Sequence, residues 1–257
     1  MRPKSVRPIV SFILSLILIL PACSSFSPQP APVHAAEPIA TSTHAATPTV
    51  TLLPTSTPRP TSTPNVAATQ RRSDLQAEVQ SYFDRGFLES TEGTFKELDD
   101  FSDEWAQLGW YELERIGMKA SDFVLSGHFK WSSAYQNADT YGCGYVFSLQ
   151  ENRDHYALFL DRSKVLFLIT SDGYGRISGP TRGTGRVKFG NPAEADFTAI
   201  VKGNYVYALV DNEVIGEYTL SQSRPLTGDI ALTVLSGTNK DYGTRCEMTN
   251  LHLWIPN

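Results

Sequence analysis

Cysteine is scarce in this sequence, with 3 residues among 257. That number excludes a disulfide-rich scaffold, in which several bridges compensate for a small core. Because three is an odd number, at least one thiol has no partner within the molecule. The three residues are Cys23, Cys143 and Cys246. The role of the unpaired cysteine therefore bears on where the protein is located.

The sequence also lacks an excess of basic charge and the short motifs of common catalytic sites. There are 22 Lys and Arg residues against 27 Asp and Glu residues, and the net charge is −5. We therefore do not expect nucleic-acid binding, which depends on neutralising phosphates.

No nucleophile elbow, P-loop or dinucleotide fingerprint occurs. His128, His155 and His252 lack zinc-site spacing, and we expect each to be an exposed strand residue. We nominate no catalytic residue.

No apolar run is long enough for a permanent membrane span. The uncharged run Ile9–Leu20 is shorter than the roughly 20 residues that a helix needs to cross a bilayer. Arg2, Lys4 and Arg7 precede it, and a cationic segment followed by an apolar one is typical of an export signal. Residues 1–22 are therefore predicted to be a signal peptide.

The signal ends in Leu20-Pro21-Ala22-Cys23, which resembles the lipobox of bacterial lipoproteins. In those proteins a small residue precedes a cysteine that is diacylated and becomes the new N-terminus. The resemblance implies that Cys23 carries a diacylglycerol anchor, and that the protein is extracytoplasmic and held at the bacterial membrane by two acyl chains. An ordinary secretory signal, cut after Ala22 or near Ala35 and Ala36, is the alternative.

Residues 23–66 are rich in Pro, Thr, Ser and Ala, and no aromatic residue follows Phe26 there. Such a segment cannot bury enough apolar surface to offset the entropy lost on ordering. We expect a disordered tether, which prolines would extend towards polyproline II. The tether would hold the following domain away from the membrane.

A helical pattern follows within residues 67–92. Apolar side chains recur there at spacings of three and four residues, at Leu75, Val79, Tyr82, Phe83 and Phe87. This pattern predicts one amphipathic helix from about Ala67 to Arg85, which Gly86 ends. We expect its apolar stripe to pack on the domain that follows, and a docking element for a partner is the alternative.

Residues 93–257 alternate apolar and polar residues with a period of two. The clearest runs are 123–131, 144–149, 155–160, 165–170, 196–202, 205–210, 229–235 and 250–255. Turn sequences separate them, and no helical pattern intervenes. The expected fold is all-β, an antiparallel two-sheet sandwich of the jelly-roll type in one domain, preceded by one amphipathic helix.

Several segments of this domain are similar to the concanavalin A-like lectin/glucanase superfamily. They are Asp99-Asp100-Phe101-Ser102-Asp103 followed by Trp105, GCGYVFSLQENRDHYALFL, ADFTAIVKGNYVYALVDNEVIGEY, GDIALTVLSG and TRCEMTNLHLW. They most resemble laminin-G-like and 3-keto-disaccharide-hydrolase-like domains of bacterial surface proteins. The likeness covers roughly residues 94–256 and implies a concanavalin A-like sandwich, whereas function does not follow from fold.

The glucanases of that superfamily carry three carboxylates on one strand, in the pattern E-x-D-x-x-E or E-x-D-x-E. Glu194 and Asp196 begin the pattern here, but Thr198 and Ala199 stand where the third carboxylate would be. Retaining hydrolysis needs both a nucleophile and an acid/base. We therefore expect a non-catalytic domain.

The remaining cysteines, Cys143 and Cys246, each stand near the start of a predicted strand. In an exported protein such a pair is expected to form a disulfide, and lipidation of Cys23 would account for the odd count. A catalytic or metal-binding thiolate is the alternative, although neither a base nor soft-ligand spacing accompanies either residue.

Two kinds of ligand site are predicted. Asp99, Asp100 and Asp103 could supply oxygen ligands to a structural calcium ion, with a solvated acidic turn as the alternative. Aromatic side chains with a polar edge suit sugar rings, and the ones nominated for this role are Trp131, Tyr135, Tyr174 and Tyr242. Another aromatic set is assigned to the core, namely Trp105, Phe123, Phe147, Phe197 and Trp254.

The expected function is that of a membrane-anchored, extracytoplasmic, non-catalytic module that binds a glycan or another surface ligand. One alternative is a glycan-processing hydrolase or an accessory domain of one, and another is a structural or adhesion protein that binds a protein. Two carboxylates facing each other across a cleft would favour the enzyme. A flat apolar patch would favour a protein partner.

Overall fold

The computed structural model describes residues 66–138, 140–170, 181–184 and 187–257. The predicted signal peptide, Cys23, the tether up to residue 65, and Tyr174 lie outside these residues. All of the described residues belong to one compact unit. No helix within these ranges is long and apolar enough to cross a membrane.

Helix α1 (Val66–Asp84) comes first in the described chain. It ends because Gly86, at φ 80°, adopts the left-handed conformation that glycine tolerates without strain. The N–H of Phe87 then donates to the carbonyl oxygen of Tyr82 at 2.9 Å, and the N–H of Gly86 donates to that of Phe83 at 2.9 Å. The predicted helix is confirmed to within one residue at each end.

Strands make up most of the rest of the described chain. They are β1 (Gly93–Glu97), β2 (Phe101–Trp105), β3 (Tyr111–Ala120), β4 (Phe123–Ser133), β5 (Gly142–Leu149), β6 (His155–Asp161), β7 (Val165–Thr170), β8 (Thr181–Thr184), β9 (Ala193–Lys202), β10 (Tyr205–Val210), β11 (Glu213–Thr219), β12 (Gly228–Leu235) and β13 (Thr244–Pro256). Every run predicted from alternation lies within one of these strands. Strands β1, β2, β3, β8 and β11 have no counterpart among the predicted runs.

The strands form two antiparallel sheets. The seven-stranded sheet has the order β1-β13-β4-β9-β10-β11, with β2 also paired to β13. The six-stranded sheet has the order β3-β12-β5-β6-β7-β8. The predicted all-β, two-sheet antiparallel sandwich with one preceding helix is therefore confirmed.

The main core lies between the sheets, where every second residue of a strand points inward. In β4 the inward residues include Phe123, Phe129 and Trp131. Trp131 is only 1% exposed, so its ring faces offer little surface on which a sugar could stack. Of the other aromatic residues assigned to this core, Phe147 and Phe197 lie within it, and Trp105 packs against it while partly buried.

A second buried cluster lies on the outer face of the seven-stranded sheet, where α1 packs. Val79 and Tyr82 of the helix contact apolar side chains of four strands, namely Val124, Ile200, Leu209 and Trp254. Packing of the helix on the domain is confirmed for Val79 and Tyr82. Phe83, in contrast, is 41% exposed, because successive helical residues point about 100° apart.

The predicted disulfide between Cys143 and Cys246 is confirmed, with Cα atoms 5.7 Å apart. Cys143 lies in β5 and Cys246 lies in β13. Since these strands belong to different sheets, the bridge joins the two layers of the sandwich across the core.

Candidate functional site

The outer face of the seven-stranded sheet changes from apolar to polar beside α1. Because Phe123 and Trp131 point inward, the outward residues of β4 are Val124, Ser126, His128, Lys130 and Ser132. Val124 belongs to the cluster beneath the helix. A cavity of about 490 Å³ opens where the polar residues begin.

We call this cavity the helix-side pocket. Its lining residues are Glu78, Tyr82, Ser126, Gly127, His128, Asp196, Thr198, Asp211, Asn212, Asn250 and His252. Strand register explains why residues far apart in sequence meet here. Ser126 of β4 pairs with Thr198 of β9 on one side and with His252 of β13 on the other.

Glu78 and His252 form a largely buried ion pair in this pocket. His252 Nε2 is 3.1 Å from Glu78 Oε2, and His252 Nδ1 is 3.1 Å from the carbonyl oxygen of Asn250. Because both ring nitrogens face acceptors, the ring makes both hydrogen bonds only as an imidazolium. Burial lowers the pKa of His252, but the hydrogen bond and negative charge of Glu78 outweigh burial and raise this pKa above its ordinary value.

The same carboxylate is held from the helix by Tyr82, whose hydroxyl donates to Glu78 Oε1 at 2.7 Å. Burial raises the pKa of Glu78, but the hydrogen bond and charge of His252, and the hydrogen bond of Tyr82, outweigh burial and lower it. Burial and the Glu78 charge raise the pKa of the Tyr82 phenol. At neutral pH Glu78 is therefore a carboxylate and Tyr82 a donor, and together with His252 they fix α1 to the sheet.

His128 and Asp196 form a second pair in the helix-side pocket, with His128 Nδ1 2.8 Å from Asp196 Oδ1. The backbone N–H of Asp196 donates to Asp211 Oδ1 at 3.0 Å. His128 Nε2 has no hydrogen-bond partner in the described part of the chain, and neither has the second oxygen of Asp196 or Asp211. The pocket therefore presents free carboxylate acceptors beside an unpartnered ring nitrogen, which donates or accepts according to the protonation of the ring.

Cations near the helix-side pocket are already engaged. Arg85 donates to Asn212 Oδ1 at 2.7 Å and to the Asn212 carbonyl oxygen at 3.1 Å. His252 is paired with Glu78. Among the described residues, no Lys or Arg lines this pocket.

A second cavity of about 310 Å³, the Tyr242-side pocket, lies farther along the same sheet. Its lining residues are Lys130, Trp131, Ser132, Ser133, Gln136, Asn191, Pro192, Tyr242, Arg245 and Glu247. Lys130 and Ser132 continue the outward row of β4, so the two pockets follow one strand. Arg245 pairs with Glu104 at 2.6 Å and lies over the Tyr242 ring, 4.7 Å from its centroid.

The nominated aromatic residues have different environments. Tyr242 lines the Tyr242-side pocket. Tyr135 is 39% exposed but lines neither pocket, and Lys240 Nζ lies 4.5 Å from its ring centroid. Trp131 also lines the Tyr242-side pocket, although its side chain is buried in the core. Tyr174 lies outside the described residues.

The structure does not bring the three carboxylates of the predicted calcium site together. Asp99 and Asp100 line a separate cavity at the edge of the sandwich, together with Lys96, Glu97, Glu114 and Arg115. Asp103 Oδ1 instead accepts the backbone N–H of Glu104 at 2.8 Å. Within the described ranges, no three His, Cys, Asp or Glu residues are grouped as metal ligands.

All three histidines lie on strands as expected, but the expectation that each is exposed is wrong for His155 and His252. His155 is 1% exposed, its Nδ1–H donates to the Arg153 carbonyl oxygen at 2.6 Å, and its Nε2 accepts from the Tyr111 hydroxyl at 2.6 Å. Burial lowers the pKa of His155 to about 4. His128 and His252 meet in the helix-side pocket.

Glu78, His128 and His252 were missed as site residues because they lie on three separate elements. A β-bulge between Thr249 and His252 shifts the pairing of β13 with β4. The usable signal was in β4 and β9, where Ser126, His128 and Asp196 occupy the polar positions of alternating runs.

No family model matches the sequence, and no curated protein matches it. Three solved structures are similar in fold. A carbohydrate-binding module from Bacillus subtilis is 10% identical, with a TM-score of 0.43, over 61% of this chain and 92% of that one. A β-1,3-1,4-glucanase (lichenase) from a mouse hindgut metagenome is 12% identical, with a TM-score of 0.41, over 62% and 100%.

The third structure is a β-fructofuranosidase from Aspergillus kawachii, which is 13% identical with a TM-score of 0.45. The match covers 66% of this chain but only 28% of the fungal enzyme. At these identities and TM-scores we draw no functional conclusion from the likeness.

Proposed function

We propose that this protein binds an uncharged glycan in the helix-side pocket without cleaving it. The observation that carries this proposal is the set of free carboxylate oxygens, the second ones of Asp196 and Asp211, beside the unpartnered His128 Nε2 around a cavity of about 490 Å³. Sugar hydroxyls are donors that suit carboxylates, and the amides of Asn212 and Asn250 add donors for ring and hydroxyl oxygens. Among the described residues of this pocket, an anionic glycan would meet carboxylates and no Lys or Arg.

Glycan hydrolysis is the second candidate, because Glu78 and Asp196 line one pocket. A glycosidase needs one carboxyl group that stays protonated at its working pH. The bonds from His252 and Tyr82 lower the pKa of Glu78, so Glu78 is a poor general acid. These contacts favour binding over hydrolysis.

Binding of a protein partner would need an exposed apolar patch. The apolar half of this sheet face is covered by α1 itself, through Val79 and Tyr82. The exposed half is polar, which supports a hydroxylated ligand.

Asp196→Asn is expected to weaken binding of a neutral oligosaccharide at least about tenfold, because a charged acceptor contributes more than an amide oxygen. A glycan array with the full-length protein identifies the oligosaccharide, and calorimetry measures its affinity. Glu217→Gln is the matched control, since Glu217 lies on β11 of the same sheet and outside both pockets.

Two results would contradict the proposal. One is that Asp196→Asn binds as tightly as the unmodified protein, and the other is that no neutral glycan on the array is bound. Shorter sugars appearing during incubation with a bound oligosaccharide would favour hydrolysis instead.

We also propose that Cys23 carries a diacylglycerol anchor and that the domain is extracytoplasmic. The support is the order of cationic segment, apolar run and small residue before Cys23. The Cys143–Cys246 disulfide fits an oxidising compartment.

Cys23→Ser is expected to move the protein from the membrane fraction to the soluble fraction, because both acyl chains are lost. Mass spectrometry of the N-terminal peptide checks the lipid directly, and Ser24→Ala is the control. Finding an intact, unacylated N-terminus on cytosolic protein would contradict the anchor.

A further inference from the structure

The helix-side pocket is closed at one end. Val124, the outward residue of β4 that precedes Ser126, is 1% exposed and lies beneath α1. Glu78 and Tyr82 stand at this end of the pocket, where the ion pair with His252 ties the helix to the sheet. A ligand lying along β4 therefore meets α1 at Ser126 and does not continue beyond it.

The outward row of β4 continues in the opposite direction. From Ser126 to Ser132 the strand runs for about 20 Å at roughly 3.3 Å per residue. Every outward side chain in this row is polar, and Lys130 lies between Glu194 and Glu247 of the neighbouring strands. The row reaches the Tyr242-side pocket, so it offers polar contacts to a ligand longer than one sugar ring.

We propose that these two pockets bind a linear glycan by its end. The terminal sugar occupies the helix-side pocket against Glu78 and Tyr82, and the chain runs along β4 towards Tyr242. This inference rests on the proposed binding of a glycan in the helix-side pocket.

The chemistry of a chain end fits the free groups of the pocket. A terminal sugar has a hydroxyl at the position where an internal sugar carries its next glycosidic bond. That hydroxyl can donate to a free carboxylate oxygen of Asp196 or Asp211, whereas an ether oxygen cannot donate. The helix-side pocket therefore favours a terminal sugar both by its closed end and by its acceptors.

Cyclic oligosaccharides test the end-binding directly, because they have no terminal sugar. The full-length protein is titrated with malto-oligosaccharides and cyclodextrins, with linear and cyclic β-glucans, and with linear and cyclic fructo-oligosaccharides. We expect a linear probe to bind at least about tenfold more tightly than its cyclic counterpart. Equal affinities would overturn end-binding while leaving glycan binding intact, and no binding to any probe would overturn both proposals.

The direction of the chain is tested by Tyr242→Ala with linear oligomers of increasing length. We expect this variant to weaken binding of hexamers by about fivefold and to leave dimers unchanged. Tyr205→Ala is the matched control, because Tyr205 is 43% exposed on the same sheet and lies outside both pockets. An equal loss for dimers and hexamers, or no loss for either, would overturn the placement of the chain towards Tyr242.

Discussion

Removing the Cys143–Cys246 disulfide is expected to lower the free energy of unfolding by about 4 kcal/mol. The two cysteines are separated by 103 residues, so the bridge restricts a large part of the unfolded chain. In the folded state it joins β5 of one sheet to β13 of the other, and its loss leaves the two layers held by core packing and by hydrogen bonds such as that from the Tyr145 hydroxyl to the Phe197 carbonyl oxygen. The double variant Cys143→Ala/Cys246→Ala removes both thiols, so that no buried free thiol complicates the result.

Urea unfolding followed by tryptophan fluorescence measures this change, since Trp131 and Trp254 are buried. Reduction of the unmodified protein should lower the unfolding midpoint as well. Cys23→Ser, which leaves the bridge intact, is the control. A loss smaller than about 1 kcal/mol would contradict the stabilising role of the disulfide.

Replacing Glu78 by alanine is expected to lower the free energy of unfolding by about 3 kcal/mol, because it leaves a partner charge without its counterion. His252 would lose the acceptor at Nε2, and the Tyr82 hydroxyl would lose its 2.7 Å hydrogen bond. Because these contacts hold α1 on the sheet, the helix should also exchange its amide protons faster.

Arg71→Ala is the control for that substitution. Arg71 pairs with Glu97 at 3.0 Å, but the two side chains are 53% and 58% exposed. An exposed pair contributes about 1 kcal/mol or less. Chemical unfolding of both variants makes the comparison, and equal losses would show that the Glu78 pair does not anchor the helix.

The pH dependence of the Glu78–His252 pair has a defined sign. The folded-state pKa of His252 is raised, so its contribution is complete below the ordinary value of about 6.5 and is lost as the pH rises through the raised pKa. The folded-state pKa of Glu78 is lowered, so its contribution is complete above about 4.3 and is lost as the pH falls through the lowered pKa. The pair should therefore stabilise the fold most between these two limits.

The contribution of His155 to stability depends on pH with the opposite sign, since burial lowers the pKa of His155 to about 4. Stability associated with the neutral His155 ring is lost as the pH falls below about 6.5. The contribution of His252 is therefore measured as the difference in unfolding free energy between the unmodified protein and His252→Gln across the pH range. A difference that grows above the raised pKa of His252 would contradict the assigned sign.

Strand alternation predicted the buried strands well because their pattern is local. Strands β4, β5, β9 and β13 have a face in the core, and their apolar residues recur at every second position. Strand β3 was missed because it lies at the edge of its sheet and is largely exposed, so its sequence YELERIGMKA shows a weak apolar pattern.

The burial of Trp131 was predictable from the sequence, since it is an even number of residues from Phe123 and Phe129 and therefore lies on the same face of β4. Its nomination for ligand binding ignored that alternation. The same alternation explains why Glu194 and Asp196 are both exposed on one face of β9. Alternation along a strand decides which face of the sheet a residue lies on, but it does not decide which other elements pack against that face.

The sequence by itself determined the sandwich and the end of the helix at Gly86, because alternation and a glycine that tolerates the left-handed conformation are local properties. The pairing of Cys143 with Cys246 was predicted from the sequence, and the tertiary structure decided it by placing the two residues on facing sheets. Only the tertiary structure decided that Glu78, His128, Asp196 and His252 share one pocket beside α1. That meeting depends on the packing of the helix, on the register between strands far apart in sequence, and on a bulge in β13. None of these is a property of a short stretch of chain.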